Sequence, residues 1–111
     1  MGRVIAMARD AAAQSKDPRV AARLGDAATA LEEATDYMLS AERNDALAGA
    51  SAYLSLAGDV IGGMLMARGV AKTEDAEKAA LLAFYAEIVL SRVGSYLPLI
   101  KLTAAPLAAL T

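Results

Sequence analysis

The sequence predicts an all-α protein, an up-and-down antiparallel helical bundle of three long helices with shorter helical segments at both ends. Three observations carry that expectation. Apolar residues recur every three to four positions over long runs, the pattern of a helix with one buried face. Alanine, the strongest helix former, makes up about a quarter of the 111 residues. The breaks between runs are only a few residues long, which forces consecutive helices to turn back on one another.

The first fifteen residues read as a short leading helix. Their apolar run is cut by Asp10 before a signal-peptide core develops. Whether the natural chain starts at Met1 or extends upstream is open. Pro18 suits a first helical turn, with Asp17 placed to cap it. From there Val20, Leu24, Ala27, Leu31, Ala34 and Met38 form one buried line, and the helix is expected to end near Glu42 or Arg43. Asn44 and Asp45 read as a break and a fresh cap. The second long helix is expected over 46–72, with a coiled-coil-like seam of Leu47, Ala50, Leu54, Ala57, Ile61 and Leu65. The third is expected over 75–95, opened by Thr73, Glu74 and Asp75, whose acids suit the positive end of a helix dipole. Between Ala79 and Leu90 its one charge is Glu87, so it is apolar nearly all round. Pro98 and Pro106 break the tail into a kinked or short last helix.

Composition narrows function by exclusion. Acids and bases are interspersed, with a net charge of −2 and 5% aromatic residues. That leaves neither the clustered cations nor the stacking platforms of a nucleic-acid binder. With no cysteine there are no disulfides and no thiolate metal sites, which fits a reducing, cytoplasmic location. With no histidine, the commonest general base and transition-metal ligand are both missing. The di-iron pattern of helical bundles needs Glu-x-x-His and is absent. Glu32 and Glu33 are adjacent and point apart, and the lysines sit near element ends, so no catalytic, cofactor or metal residue is assigned. Glu87 interrupts an apolar run, and reaching a Tyr, Arg or Ser across the bundle is its expected role over a raised-pKa general base.

The stretch 53–71, "YLSLAGDVIGGMLMARGVA", is long enough to span a membrane. Asp59 at its centre would cost about 2.5–3.5 kcal/mol on insertion scales. "GDVIGG" lacks the Lys-Ser/Thr of a phosphate loop and lies inside a helical period. Each glycine costs about 1 kcal/mol of helix propensity against alanine, so Gly58, Gly62 and Gly63 are expected to admit a closely packed neighbour. At 57% apolar residues, the chain offers more apolar surface than one small domain hides. Leu81, Phe84, Tyr85, Ile88 and Val89 of the third helix are the expected interface, most simply with a second copy.

The ordered set Leu47 to Ala50, Tyr53-Leu54, Gly58, Gly62-Gly63, Ala67-Arg68 and Phe84 to Glu87 resembles the extra C-terminal helical domain of a subset of bacterial acyl-CoA dehydrogenases. The upstream "LEEATDYML" and the leading "GRVIAMARDAAA" resemble the preceding parts of that domain, so the likeness spans nearly the whole chain. Met64, Ile88 and Ser91 stand where the family favours an aromatic, a histidine and a proline. The resemblance implies a non-catalytic packing and assembly domain, the C-terminal fragment of a longer chain. That parent would use FAD, bound in upstream domains, to oxidise acyl-CoA to enoyl-CoA. The partners implied are those upstream domains, a second subunit, or both. A free-standing helical protein that homodimerises through its third helix is the alternative.

Overall fold

The computed structural model describes residues 1–101, and every structural statement below concerns these. They form an all-helical chain: α1 (Gly2–Gln14), α2 (Pro18–Ser40), α3 (Arg43–Ala71) and α4 (Ala76–Ile88), then a 3-10 segment (Leu90–Ser95) and α5 (Tyr96–Ile100). The last ten residues, including Pro106, lie outside the described part.

Helix starts follow side-chain chemistry where it exists. The Asp17 carboxylate accepts from the Arg19 N–H, and Pro18 occupies the first turn where its missing N–H costs nothing. Asp75 accepts from the N–H groups of both Glu77 and Lys78, so α4 begins one residue after the expected start. The α2–α3 boundary differs from the sequence expectation. α2 stops at Ser40, and α3 starts at Arg43 behind Glu42, whose side chain makes no cap bond. Asn44 and Asp45 therefore lie inside the first turn of α3, where an acid is favoured by the helix dipole.

Paired residues give the helix directions. Thr35 of α2 shares a hydrogen bond with Tyr53 of α3, while Val20 and Ala67 line the same cleft, so α2 and α3 are antiparallel. Gly49 meets Ile100 and Gly62 meets Tyr85, so the chain from α4 to α5 runs back along α3. α2, α3 and α4 pack on one another in every pairing, and α1 lies on α2 and α3 without touching α4. The body is long and thin, 55 × 24 × 16 Å, with a radius of gyration of 15.5 Å. A compact domain of this length would have about 13 Å.

The core is a single cluster built around α2. Val20, Leu24, Ala27, Leu31 and Ala34 are fully buried, on the face expected, and Met38 is partly buried. Opposite them lie Leu56, Val60 and Met64 of α3, Leu82 and Ala86 of α4, and Leu90, Val93 and Ile100 beyond. The expected seam of α3 is therefore corrected. Leu47, Leu54 and Leu65 point to solvent, and the buried line is Gly49, Leu56, Val60, Gly63 and Ala67. α3 carries two apolar stripes, and the one with the smaller residues goes inward because it lets neighbours approach.

The third long helix is corrected too. It ends at Ile88 and tightens into the 3-10 segment, where Ser91 and Ser95 hydroxyls donate back to the Glu87 and Arg92 carbonyls. Such back-bonding competes with the helical ladder and bends it.

Candidate assembly surface

The described residues hold no group of three His, Cys, Asp or Glu side chains able to bind a metal. At one end of the bundle, a cleft of about 290 Å³ has an apolar floor that includes Val20, Ala67 and Leu82. Of the three acids that line it, Asp17 and Asp75 already cap α2 and α4, and Glu74 is exposed. What the fold offers instead is surface.

On α4 only Leu82 and Ala86 are buried, against α2 and α3. Leu81, Phe84 and Ile88 share the opposite face by their three-and-four spacing, and Phe84 is 66% exposed. Two of the five expected interface residues do not stand with them. Tyr85 turns inward, its hydroxyl donating to the Asp59 backbone carbonyl at 2.7 Å, and Val89 is half-buried at the end of the helix. A buried phenol needs an acceptor, and the α3 backbone supplies it.

The glycines divide by what surrounds them. A Cβ on Gly62 would lie 2.8 Å from the Tyr85 hydroxyl oxygen, and one on Gly63 would lie 3.0 Å from Leu90. These two glycines make room for α4 and the 3-10 segment, through side chains and not through a bare backbone crossing. Gly58 is different: a Cβ there meets nothing among the described residues, so it plays no part in packing between them. The close backbone approach is at Gly49, which sequence reading passed over. A Cβ there would overlap the Ile100 carbonyl oxygen and lie 3.0 Å from the Ile100 Cα. Only the spacing of Gly49 from Leu56 and Gly63 on one helix line could have marked it.

Polar contacts fix the helices in register. The Tyr96 hydroxyl donates to the Asp59 carboxylate at 3.1 Å, so the charge at the centre of α3 is met from inside the protein. That hydrogen bond, then the Asp59 charge, raises the Tyr96 hydroxyl above the usual tyrosine range, with Arg92 partly opposing. Burial, then Asp59, raises Tyr85. Glu87 reaches Arg23 of α2 at 3.4 Å, the cross-bundle role expected of it. Arg9 grips Glu32 with two hydrogen bonds, at 2.9 and 3.1 Å, which hold that carboxyl below its usual range. Lys101 reaches Glu33 at 2.8 Å.

The arrangement is a scaffold of interlocked helices with unpartnered apolar faces. The family described as "Acetyl-CoA dehydrogenase C-terminal like" matches residues 2–111. The chain belongs to this family. No curated protein and no solved structure matches it. In this acetyl-CoA dehydrogenase C-terminal-like domain, α3 and α4 bring glycines and an aromatic residue together. Gly62, Gly63 and Tyr85 meet where those helices touch. By length and composition alone, α3 and the run Ala76–Ile100 would each be long and apolar enough to cross a membrane. A third of the most apolar window of α3 is buried inside the bundle.

Proposed function

We propose that this domain is the non-catalytic packing and assembly unit of an FAD-dependent acyl-CoA dehydrogenase, following the flavin-binding domains in the intact polypeptide. The parent enzyme would oxidise acyl-CoA to enoyl-CoA, with flavin, thioester and base all held upstream, in the cytoplasm. The observation that carries this reading is the outer face of α4, Leu81, Phe84 and Ile88, on a domain of this family. Contiguous apolar surface of this kind marks a protein interface when a polar rim surrounds it. Glu77 and Lys78 supply such a rim at the start of α4. The cost of placing Asp59 at a bilayer centre, about 2.5–3.5 kcal/mol, favours an aqueous protein over a membrane span.

The test is co-purification of this chain with the dehydrogenase domains encoded upstream in the same frame, produced as a separate polypeptide. Phe84→Glu is expected to abolish the association while the melting profile stays unchanged, because Phe84 supports nothing inside the bundle. Association that survives Phe84→Glu, or the lack of any flavoprotein frame upstream, would sink the reading.

A further inference from the structure

α3 has a second face that the docking of α4 does not use. At about 100° per residue, Leu47, Leu54, Gly58 and Leu65 fall within about 20° of one line, with Ile61 about 40° from it. Leu47, Leu54 and Leu65 are 63%, 69% and 56% exposed, and Ile61 is partly buried. The spacing is that of a coiled-coil seam, and nothing among the described residues covers it. In its middle sits Gly58, whose missing side chain serves no neighbour among those residues.

The stripe is complementary to itself when reversed. In an antiparallel pair of α3 helices, with facing residue numbers summing to 112, Leu54 faces Gly58, Ser51 faces Ile61 and Leu47 faces Leu65. Large side chains meet small ones at the centre, and leucines close both ends. Charge favours the same direction. Arg43 of one copy lies over Gly69 of the other, itself open, beside the carbonyls of the last turn of α3. Lys72 comes to Glu42 and the C-terminal end of α2, where a cation is favoured. A parallel pair would instead set Arg43 against Arg43 and Lys72 against Lys72.

We infer that the outer stripe of α3 is a two-fold antiparallel interface with a second copy of this chain, centred between Leu54 and Gly58. This deepens the assembly reading above by naming one partner and its register, and it replaces α4 as the self-pairing helix.

The absence of native cysteine makes the register directly readable. Oxidising an equal mixture of Leu54→Cys and Gly58→Cys proteins is expected to give a covalent heterodimer, while neither variant alone cross-links. In the reversed pair, residue 54 is offset from its own copy by four residues, about 6 Å along the axis. Leu54→Glu is expected to weaken the sedimenting dimer about tenfold or more, with an unchanged melting profile at concentrations low enough that both proteins are monomers. Self-cross-linking of Leu54→Cys alone, or a monomer at micromolar concentration, overturns the proposal. So does a monomeric chain that floats with phosphatidylglycerol-containing vesicles, since the stripe would then be a lipid face. A dimer in this register that ignores the dehydrogenase domains keeps this inference and removes the docking reading. A monomer that binds those domains through Phe84 does the reverse.

Discussion

α2 and α3 are the two longest helices, and both carry apolar residues at three-and-four spacing. α2 has one such stripe, and its members, from Val20 to Ala34, are buried to the last atom in the shared core. α3 has two, one packed against α2, α4 and α5 and the other open to solvent from Leu47 to Leu65. The difference is one of bulk. The inward stripe of α3 contains Gly49, Gly63 and Ala67, so it forms a trough into which Ile100, Leu90 and Tyr85 settle. Leucines at Gly49 and Gly63 would hold those neighbours off, whereas Leu56 between them fills the core. Between two apolar faces of one helix, the face with less side chain is thus the one that packs within the chain.

That contrast is broken most sharply by truncating one leucine from each helix. Leu24→Ala, at the centre of the α2 stripe, is expected to cost about 2–5 kcal/mol, the transfer loss plus a residual cavity. Leu54→Ala, on the outer stripe of α3, should change the stability of the monomer by no more than about 0.5 kcal/mol. Urea titration at low protein concentration measures both. Similar costs for the two would mean that the outer stripe is covered within a single chain.

The trough is tested next. Gly49→Ala places a methyl group on the Ile100 carbonyl, and backbone cannot step aside as a side-chain tip can. About 1–3 kcal/mol of destabilisation is expected, concentrated in α5. Gly58→Ala, on the outer stripe, should stabilise the monomer by about 0.4–1 kcal/mol, since the helix gains propensity and nothing is displaced. If Gly58→Ala destabilises the chain, the assignment of that face is wrong.

The smallest effect is electrostatic and falls at high pH. Tyr85 and Tyr96 ionise above the ordinary value of 10.0, Tyr85 because burial and then the Asp59 charge disfavour its tyrosinate, Tyr96 because ionising gives up its hydrogen bond to Asp59 and meets that charge. A raised folded value means that their contribution is full below pH 10.0 and is lost as pH climbs through the folded values. Following tyrosinate absorbance, Tyr85 and Tyr96 should contribute a late component to the titration. In the Tyr85→Phe, Tyr96→Phe double variant the late component should vanish and the alkaline loss of stability should flatten. An unaltered titration curve in that variant would place the late groups elsewhere.

How far these features could be read from sequence depended on whether a local signal had a rival. The start of α2 had none, because Asp17 and Pro18 agree with the first buried valine. The inward face of α3 had a rival of equal period, and hydrophobicity favoured the leucine-rich one. Side-chain volume, which decides the matter in three dimensions, is not part of a periodicity argument. The end of α4 was masked because no proline marks it, although Ser91, Gly94 and Ser95 cluster where the helix tightens. That α4 has more apolar residues than one bundle covers was legible from apolar content, but which of them face outward was not. Nor was the inward turn of Tyr85, since it depends on a carbonyl of α3, twenty-six residues away.

The way α5 is seated also bears on how the protein opens. Beyond Ile88 the chain is held by Leu90, Val93 and Ile100, by the Tyr96 hydroxyl on Asp59, and by Lys101 on Glu33. The strap begins with the 3-10 stretch that follows α4, so its release need not unwind the helix before it. Amide hydrogens from Leu90 to Ile100 should exchange through a shallow local opening, well before those of α2, whose release requires the whole core to dissolve. Each such excursion would bare the Gly49 end of the trough, leaving the core of α2 closed.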